Sequence, residues 1–181
     1  PPVRKLIHRL AGRKVLASLG GNIRFYGIGG APVPKDVERF LIEGGVPYSV
    51  GYGLTETAPL LAGGDPADMK FRSTGKVLPG VSLRIADPDG SGIGEIQARG
   101  PNIMTGYWKD EVRTAQVFTS DGWFRTGDLG QLDNETLYIK GRLKDVLLGS
   151  NGENIYPDEV ESVINSQNFI SESLAYIRDG Q

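Results

Sequence analysis

Gly51-Tyr52-Gly53-Leu54-Thr55-Glu56-Thr57 directly follows a short apolar run, Val46–Val50. A glycine-rich turn after a strand is typical of the carboxyl edge of a parallel sheet, where ligands gather. The turn exposes backbone N–H groups, and Thr55 and Thr57 add hydroxyl donors that suit phosphate oxygens. Glu56 places a carboxylate among these donors, and Mg²⁺ would bridge that carboxylate to a phosphate. An ordinary turn with solvent-facing Thr and Glu is the alternative.

Two strands are predicted on either side of a helix pattern. The first strand, Ile23–Tyr26, runs into a glycine-rich loop at 27–32, and the second, Val46–Val50, runs into the loop 51–57. A strand–helix–strand unit implies parallel strands joined by a right-handed crossover. Both loops are therefore expected at the same edge of the sheet.

Two helices are predicted in this first region. Apolar residues recur at helical spacing between Val3 and Leu19, and Gly20-Gly21 fits a helix end. Pro34 opens the second helix, and Gly44-Gly45 closes it. The inner face of the second helix is predicted to consist of Val37, Phe40 and Leu41.

The chain changes character near residue 70. Short β-type segments separated by Asp-Gly and Asp-Asn turns run from Gly75 to Tyr138. Val81–Ile85 and Glu95–Ala98 flank a turn and predict a hairpin. This region is expected to form a small antiparallel sheet or barrel.

A third region follows Gly141 and combines strands with a helix. Asp145–Leu148 and Leu174–Ile177 are predicted strands, and Pro157 opens a helix between them. The residues expected to face inward on that helix are Val160, Val163 and Ile164. The pattern ends in a turn without a return strand, so the third region is expected to be the truncated start of a larger α+β unit.

The predicted fold class is therefore α/β followed by a β-rich subdomain. Residues 1–69 are expected to be the C-terminal part of a large α/β subdomain that ends in the parallel βαβ unit. Residues 70–140 would form the β-rich subdomain, and residues 141–181 the truncated start of an α+β lid domain.

Composition excludes several classes of function. The 181 residues carry a formal charge of −2 with scattered basic residues, which gives no reason to expect a nucleic-acid partner. No cysteine is present and His8 is the single histidine, so a disulfide framework, a thiolate nucleophile and a His-rich metal cluster are excluded. We expect a reducing, cytoplasmic location, because no run of 18 apolar residues and no leader-like start occurs.

Several short motifs rich in glycine and polar residues follow one another along almost the entire chain. They are Gly29-Gly30-Ala31-Pro32, Tyr52 to Glu56, Gly94-Glu95-Ile96 followed by Gly106-Tyr107-Trp108, Thr126-Gly127-Asp128, Gly141-Arg142 and the segment 149–161. In this order and spacing they resemble the adenylate-forming (AMP-binding) superfamily, which includes acyl-CoA synthetases, adenylation domains of peptide synthetases and luciferases. The segments 51–57 and 150–157 look most like long-chain fatty acyl-CoA synthetases.

The resemblance implies that the first two motifs hold the base of a nucleotide. Gly30, Ala31 and Pro32 would line the adenine face. Tyr52 would stack on the base, and Gly53 would be the next nucleotide-binding residue of the same turn.

The resemblance also assigns the phosphate and ribose contacts. Thr55 would hold the α-phosphate as a catalytic residue, and Glu56 would be the catalytic ligand of Mg²⁺. Asp128 would accept hydrogen bonds from the ribose hydroxyls. Arg142 would contact ribose or phosphate as a fixed cation.

Two further residues are implied in the third region. Lys144 would be the hinge about which the lid rotates between two half-reactions, with an ordinary exposed lysine as the alternative. Gly152 would border the channel for the pantetheine arm of CoA, where a side chain would obstruct the thioester. The superfamily's phosphate loop and catalytic lysine have no counterpart in these 181 residues, so we expect them outside the chain.

The resemblance implies an ATP-dependent acyl-CoA synthetase that activates a fatty acid as acyl-AMP and transfers it to CoA. The implied cofactors and substrates are ATP or AMP, Mg²⁺, CoA and the fatty acid. No obligate protein partner is evident, and peripheral membrane contact stays open. An amino-acid or acyl adenylation domain that loads a carrier protein, and a non-catalytic nucleotide-binding module, are the alternatives.

Overall fold

The computed structural model describes residues 2–149, 153–165 and 167–176. The chain divides into two compact units. Unit 1 contains residues 1–82, 100–105 and 133–138, and unit 2 contains residues 83–99, 106–132 and 139–181.

A parallel strand pair joined by a helix forms the first part of unit 1. Strand β1 (Tyr26–Ile28) pairs in parallel with β2 (Tyr48–Val50), and helix α2 (Lys35–Gly44) connects them. The predicted βαβ unit is confirmed, but both strands begin later than predicted. Pro47 lacks an N–H group, and its carbonyl accepts the Tyr26 N–H at 2.8 Å, so regular pairing starts at Tyr48 and Tyr26.

Helix α2 turns a different face to the core than its apolar residues predict. Leu41 is buried and Phe40 is half-buried, but Val37 is 42% exposed, so the predicted inner face is wrong at Val37. Glu38 is buried in its place with 1% exposure. Gly45 ends the helix in the left-handed conformation (φ 71°), as glycine after a helix commonly does.

Helix α1 (Pro2–Ser18) packs on α2 through two glycines and an ion pair. A Cβ atom on Gly12 would lie too close to the Gly44 carbonyl oxygen for both helices to keep their positions. Arg4 and His8 both contact the Glu43 carboxylate, His8 Nδ1 at 2.8 Å from its Oε2. The predicted α1 helix and its glycine end, where Gly20 and Gly21 have positive φ, are confirmed.

The core of this part of unit 1 lies between α2 and the strand pair. Its buried members come from β2, from α2 and from the loops on either side of α2, and they are Val33, Leu41, Val46, Tyr48 and Val50. Partly buried side chains pack against them: Leu16, Ile28, Phe40 and Met69. The core thus fixes the loops that leave β1 and β2.

The remaining strands of unit 1 are antiparallel. They follow the order β3, β4, β5 and the first residues of β9. Their bounds are Tyr52–Gly53 for β3, Leu60–Gly63 for β4, Lys76–Val77 for β5 and Thr136–Arg142 for β9.

Unit 2 contains the longer antiparallel strands in the order β9, β8, β7 and β6. These are β6 (Ser82–Ala86), β7 (Gly94–Arg99) and β8 (Phe124–Asp133), and helix α3 (Glu111–Val117) precedes β8. The predicted hairpin is confirmed as β6 and β7. No strand pairing among the described residues closes a barrel, so the sheet alternative is confirmed and the barrel is wrong.

The end of unit 2 differs from prediction in three ways. A 3-10 turn at Leu143–Asp145 takes up Asp145, the first residue of the predicted strand, which is reduced to β10 (Leu147–Leu148), paired with β11 (Asn154–Ile155). Helix α4 (Pro157–Asn165) begins as predicted, but its apolar residues are 37–55% exposed. Residues 174–176 are not in a strand, since they pair with no strand in the part of the chain that the structure describes, and Ile177 lies outside that part. The three-part domain division stays a prediction.

Candidate functional site

The turn after β2 is held in shape by a close backbone approach at Gly53. Strand β3 pairs with β4 and places Gly53 opposite Leu60. A Cβ atom on Gly53 would overlap with the Pro59 carbonyl oxygen, a position that no side chain can adopt. The second glycine of the motif is therefore a steric requirement of this turn.

Thr57 fixes the same turn from inside. Its side chain is fully buried, and its hydroxyl accepts the Leu54 N–H at 2.9 Å and lies 2.5 Å from the Pro59 carbonyl oxygen. The prediction that this hydroxyl serves a phosphate is wrong, because backbone groups of the turn take up its hydrogen bonds. Ala58 follows in the left-handed conformation (φ 49°) and reverses the chain.

Asn102 is a residue of this site that sequence reasoning missed. Its amide donates to the Thr57 carbonyl at 2.7 Å and to the Leu60 carbonyl at 2.9 Å. The Met104 N–H also donates to the Glu56 carbonyl at 2.8 Å. The segment 100–105 therefore braces the backbone of the turn, and no local signal in the sequence links residues 45 positions apart.

Thr55 and Glu56 lie on a short 3-10 turn whose backbone is fixed by these contacts. Thr55 is exposed, and Glu56 is half-buried. The structure therefore presents a hydroxyl and a carboxylate next to each other on a rigid turn.

The loop after β1 lies beside this turn. The Gly51 N–H donates to the Ile28 carbonyl at 2.9 Å, so the two loops leave neighbouring strand ends as predicted. Gly30 has a φ of 84°, which favours glycine. Ala31 and Pro32 are exposed and line an open groove of about 340 Å³.

A second group of predicted residues lies in unit 2. Arg142 Nε is 3.4 Å from Asp128 Oδ1, so the structure brings these two predicted site residues together. Asp128 is nearly buried, and its N–H donates to the Thr126 hydroxyl, which in turn donates to the Ile96 carbonyl at 2.7 Å. The Arg142 side chain is 58% exposed. The carboxylate is thus fixed, whereas the guanidinium extends toward solvent.

Asp158 adds a third charged group near Arg142. Burial raises the pKa of Asp158, the Glu161 and Asp145 carboxylates add to that rise, and Arg142 opposes it. Lys144 is exposed on the 3-10 turn at Leu143–Asp145, and Gly152 lies outside the described residues.

Mg²⁺ fits this site only together with a ligand. Within residues 2–149, 153–165 and 167–176, no group of three or more His, Cys, Asp and Glu side chains is arranged to hold a metal. Mg²⁺ is usually bound through one or two carboxylates plus substrate phosphates, with waters completing the shell. Glu56 beside the Thr55 hydroxyl provides that kind of partial oxygen set.

The matching family model settles the family. The family described as "AMP-binding enzyme" matches residues 3–108, more than half of the chain. The chain belongs to the AMP-binding enzyme family. The two loops of unit 1 and their supporting core all lie within the matched residues.

Similar proteins include CoA ligases with different substrates. The long-chain-fatty-acid–CoA ligase FadD15 of Mycobacterium bovis is 40% identical over 92% of this chain and 27% of its own length. The indoleacetate–CoA ligase of Aromatoleum aromaticum is 42% identical over 83% of this chain and 31% of its own length. This chain thus spans less than a third of the length of each of these relatives.

Solved structures of the o-succinylbenzoate CoA synthetase from Bacillus subtilis have a similar fold. The unliganded form has a TM-score of 0.79 at 35% identity and covers 92% of this chain and 39% of that one. The complex with ATP and magnesium ion has a TM-score of 0.72 at 35% identity, over 88% and 36% of the two chains. Among the described residues, the helices lack an apolar stretch of the length that a membrane span requires.

Proposed function

We propose that this chain is the nucleotide-binding part of an ATP-dependent acyl-CoA ligase that activates a long-chain fatty acid. A carboxylate oxygen of the acid attacks the α-phosphorus of ATP, the bond to the bridging oxygen breaks, and pyrophosphate leaves. The thiol sulfur of CoA then attacks the acyl carbon, loses its proton to solvent and displaces AMP. The observation that carries the proposal is the rigid turn that presents Thr55 and Glu56 beside the loop 29–32.

The residues of unit 1 would bind ATP through shape and a few polar groups. Gly30, Ala31 and Pro32 line one side of the adenine, and Tyr52 stacks on the ring, with Gly53 allowing the tight turn. Such preorganised contacts align the α-phosphate for in-line attack and need no rearrangement when the reaction occurs.

Thr55 and Glu56 would act at the phosphates. The Thr55 hydroxyl donates a hydrogen bond to an α-phosphate oxygen, and the Glu56 carboxylate ligates Mg²⁺. When bound, Mg²⁺ neutralises charge on the phosphate oxygens and stabilises the departing pyrophosphate. The nearby backbone keeps both side chains in place, because Asn102 and Thr57 hold the turn from two sides.

The residues of unit 2 would bind the ribose and support the second half-reaction. Asp128 accepts hydrogen bonds from the ribose hydroxyls, a task that suits a carboxylate whose backbone is held by Thr126. Arg142 donates to ribose or phosphate from its exposed end. Lys144 acts as the hinge of the lid, and Gly152 leaves room for the pantetheine arm of CoA.

The domain division and the location of the protein belong to the same proposal. Residues 1–69 form the end of the large α/β subdomain, residues 70–140 the β-rich subdomain, and residues 141–181 the start of the lid. We place the enzyme in the cytoplasm, without a nucleic-acid partner.

Pyrophosphate exchange on the full-length protein tests this function. Palmitate should support ATP–pyrophosphate exchange, and indoleacetate, o-succinylbenzoate and the amino acids should support far less. Exchange with amino acids alone would favour a carrier-protein-loading adenylation domain instead. ATP binding without exchange for any carboxylic acid would favour a non-catalytic nucleotide-binding module.

A further inference from the structure

Helix α2 of unit 1 carries a buried carboxylate. Glu38 on α2 is 1% exposed. Its Oε1 atom accepts the Tyr48 hydroxyl at 3.1 Å and the Arg72 backbone N–H at 2.8 Å. A buried charge without compensation is costly, so these donors identify Glu38 as part of a built network.

Arg72 connects this network to the loop after β1. Its guanidinium Nη1 donates to the Val33 carbonyl at 2.5 Å and lies 3.7 Å from Glu38 Oε2. Val33 follows Pro32 directly, and its own side chain is buried in the core. One arginine thus links the end of the loop 29–32 to the buried carboxylate.

The backbone at Arg72 supports a specific role. Its φ of 66° lies in the left-handed region, which is unfavourable for a residue other than glycine. Such a conformation persists only where the surrounding contacts determine it. At Arg72 these contacts are the hydrogen bond from its N–H to Glu38 and the hydrogen bond from its guanidinium to the Val33 carbonyl.

We propose that Arg72 is a positioning residue for the nucleotide loop, held by Glu38 and acting through the Val33 carbonyl. The inference rests on the proposed function, since it treats the loop 29–32 as the adenine contact. Arg72 touches no reacting atom in this proposal. It fixes the position of the loop that contains Gly30, Ala31 and Pro32. Loss of Arg72 should therefore weaken ATP binding more than it slows the chemical step.

Two substitutions in the full-length protein test this role. Arg72→Gln keeps a non-glycine residue at the left-handed position but removes the charge and the fork of donors. Arg72→Lys keeps the charge and reaches one partner at a time. Arg39→Gln is the matched control, because Arg39 is an exposed arginine next to Glu38 on the same helix, 5.8 Å from the Phe71 ring.

Steady-state pyrophosphate exchange gives the first readout. Arg72→Gln should raise the KM for ATP about tenfold while kcat and the KM for the acid stay within about twofold. The KM for ATP of Arg72→Lys should lie between those of Arg72→Gln and the wild type, and the KM of Arg39→Gln should match that of the wild type. An unchanged KM for ATP in Arg72→Gln, or equal changes in every constant, would overturn the positioning role.

Hydrogen exchange without nucleotide separates this proposal from the proposed function. Backbone amides between Gly29 and Val33 should exchange faster in Arg72→Gln than in the wild type, with the rest of unit 1 unchanged. If this local change occurs but the wild type shows no ATP-dependent activity, Arg72 positions the loop and the proposed function fails. If exchange at the loop is unchanged, Arg72 does not position the loop.

Discussion

The Tyr52–Thr57 turn and the Asp128–Arg142 pair are fixed by different means. Backbone packing at Gly53 and a fully buried Thr57 hold the turn, so its shape is set by sterics and satisfied hydrogen bonds. The pair depends on attraction across 3.4 Å between a nearly buried carboxylate and an exposed guanidinium. Packed turns resist small perturbations, whereas exposed charge pairs contribute little and yield easily. We therefore expect the turn of unit 1 to be rigid and the charge pair of unit 2 to be adjustable.

Removing the Glu56 charge should have the largest effect, because it leaves the rigid turn intact but deletes the carboxylate that we propose as the Mg²⁺ ligand. We expect Glu56→Gln in the full-length protein to lose about 100-fold or more of its Mg²⁺-dependent adenylation with little change in the melting temperature. Pyrophosphate exchange measures the loss. Glu111→Gln is the control, since Glu111 is an exposed residue in the first turn of α3. Near-wild-type exchange in Glu56→Gln would show that this carboxylate does not hold the metal.

Adding a side chain at Gly53 should have the next largest effect. Gly53→Ala places a methyl group against the Pro59 carbonyl, so the turn must open, at a cost of roughly 2–3 kcal/mol in the free energy of unfolding. Urea unfolding followed by circular dichroism gives this value. Gly90→Ala should change it by less than about 0.5 kcal/mol, because a Cβ atom there would have nothing within 4 Å. Equal, small changes in both variants would mean that the turn adapts easily.

Restricting the backbone after Arg142 tests whether this part of unit 2 must move. Lys144→Pro fixes φ at the proposed hinge and should slow thioester formation about tenfold more than adenylation. Single-turnover measurements of acyl-AMP formation and of its consumption by CoA separate the two steps. Lys144→Ala is the control, because alanine removes the charge but leaves φ free. Equal loss in both half-reactions would argue against a hinge at this residue.

Local signals explain how much of this fold could be predicted. Pro34, Gly45 and the two glycine-rich loops mark the ends of elements, so the βαβ unit follows from the sequence, apart from strand starts that depend on Pro47. The burial of Glu38 could not be predicted, because a buried polar residue needs partners and those of Glu38 are distant in sequence. Thr57 bonds to Leu54 and Pro59 within its own turn, but the sequence alone does not give the conformation of that turn. For Glu38 one such partner is the Arg72 N–H, 34 positions away.

The charged and apolar patterns of unit 2 were less informative for a related reason. Asp128 and Arg142 were each expected at the site from the family resemblance rather than from spacing, and their contact with each other was not predicted. The apolar residues of α4 predict a buried face, yet Val163 is 55% exposed. A helical apolar stripe indicates that a face can be buried, but it does not specify the surface that buries it.

The smallest expected effect is a pH dependence that belongs to the buried network of unit 1. Burial, and then the Glu38 carboxylate, raise the pKa of Tyr48, so the folded state favours the neutral hydroxyl. The stabilisation from this hydroxyl is therefore fully present below the unfolded tyrosine pKa of about 10 and is lost as the pH rises above it. Tyr48→Phe should lower the free energy of unfolding by about 1 kcal/mol at pH 7, because Glu38 loses a donor.

Urea unfolding of the full chain at pH 7 and pH 10.5 checks the sign of this dependence. The difference between the wild type and Tyr48→Phe should shrink at the higher pH, because the wild type loses its advantage when deprotonation of Tyr48 becomes favourable on unfolding. Tyr26→Phe is the matched control, since Tyr26 is exposed and pairs with Tyr48 across the parallel strands. It should follow the wild type at both pH values. A constant difference between wild type and Tyr48→Phe would show that the Tyr48–Glu38 hydrogen bond does not contribute to the stability of unit 1.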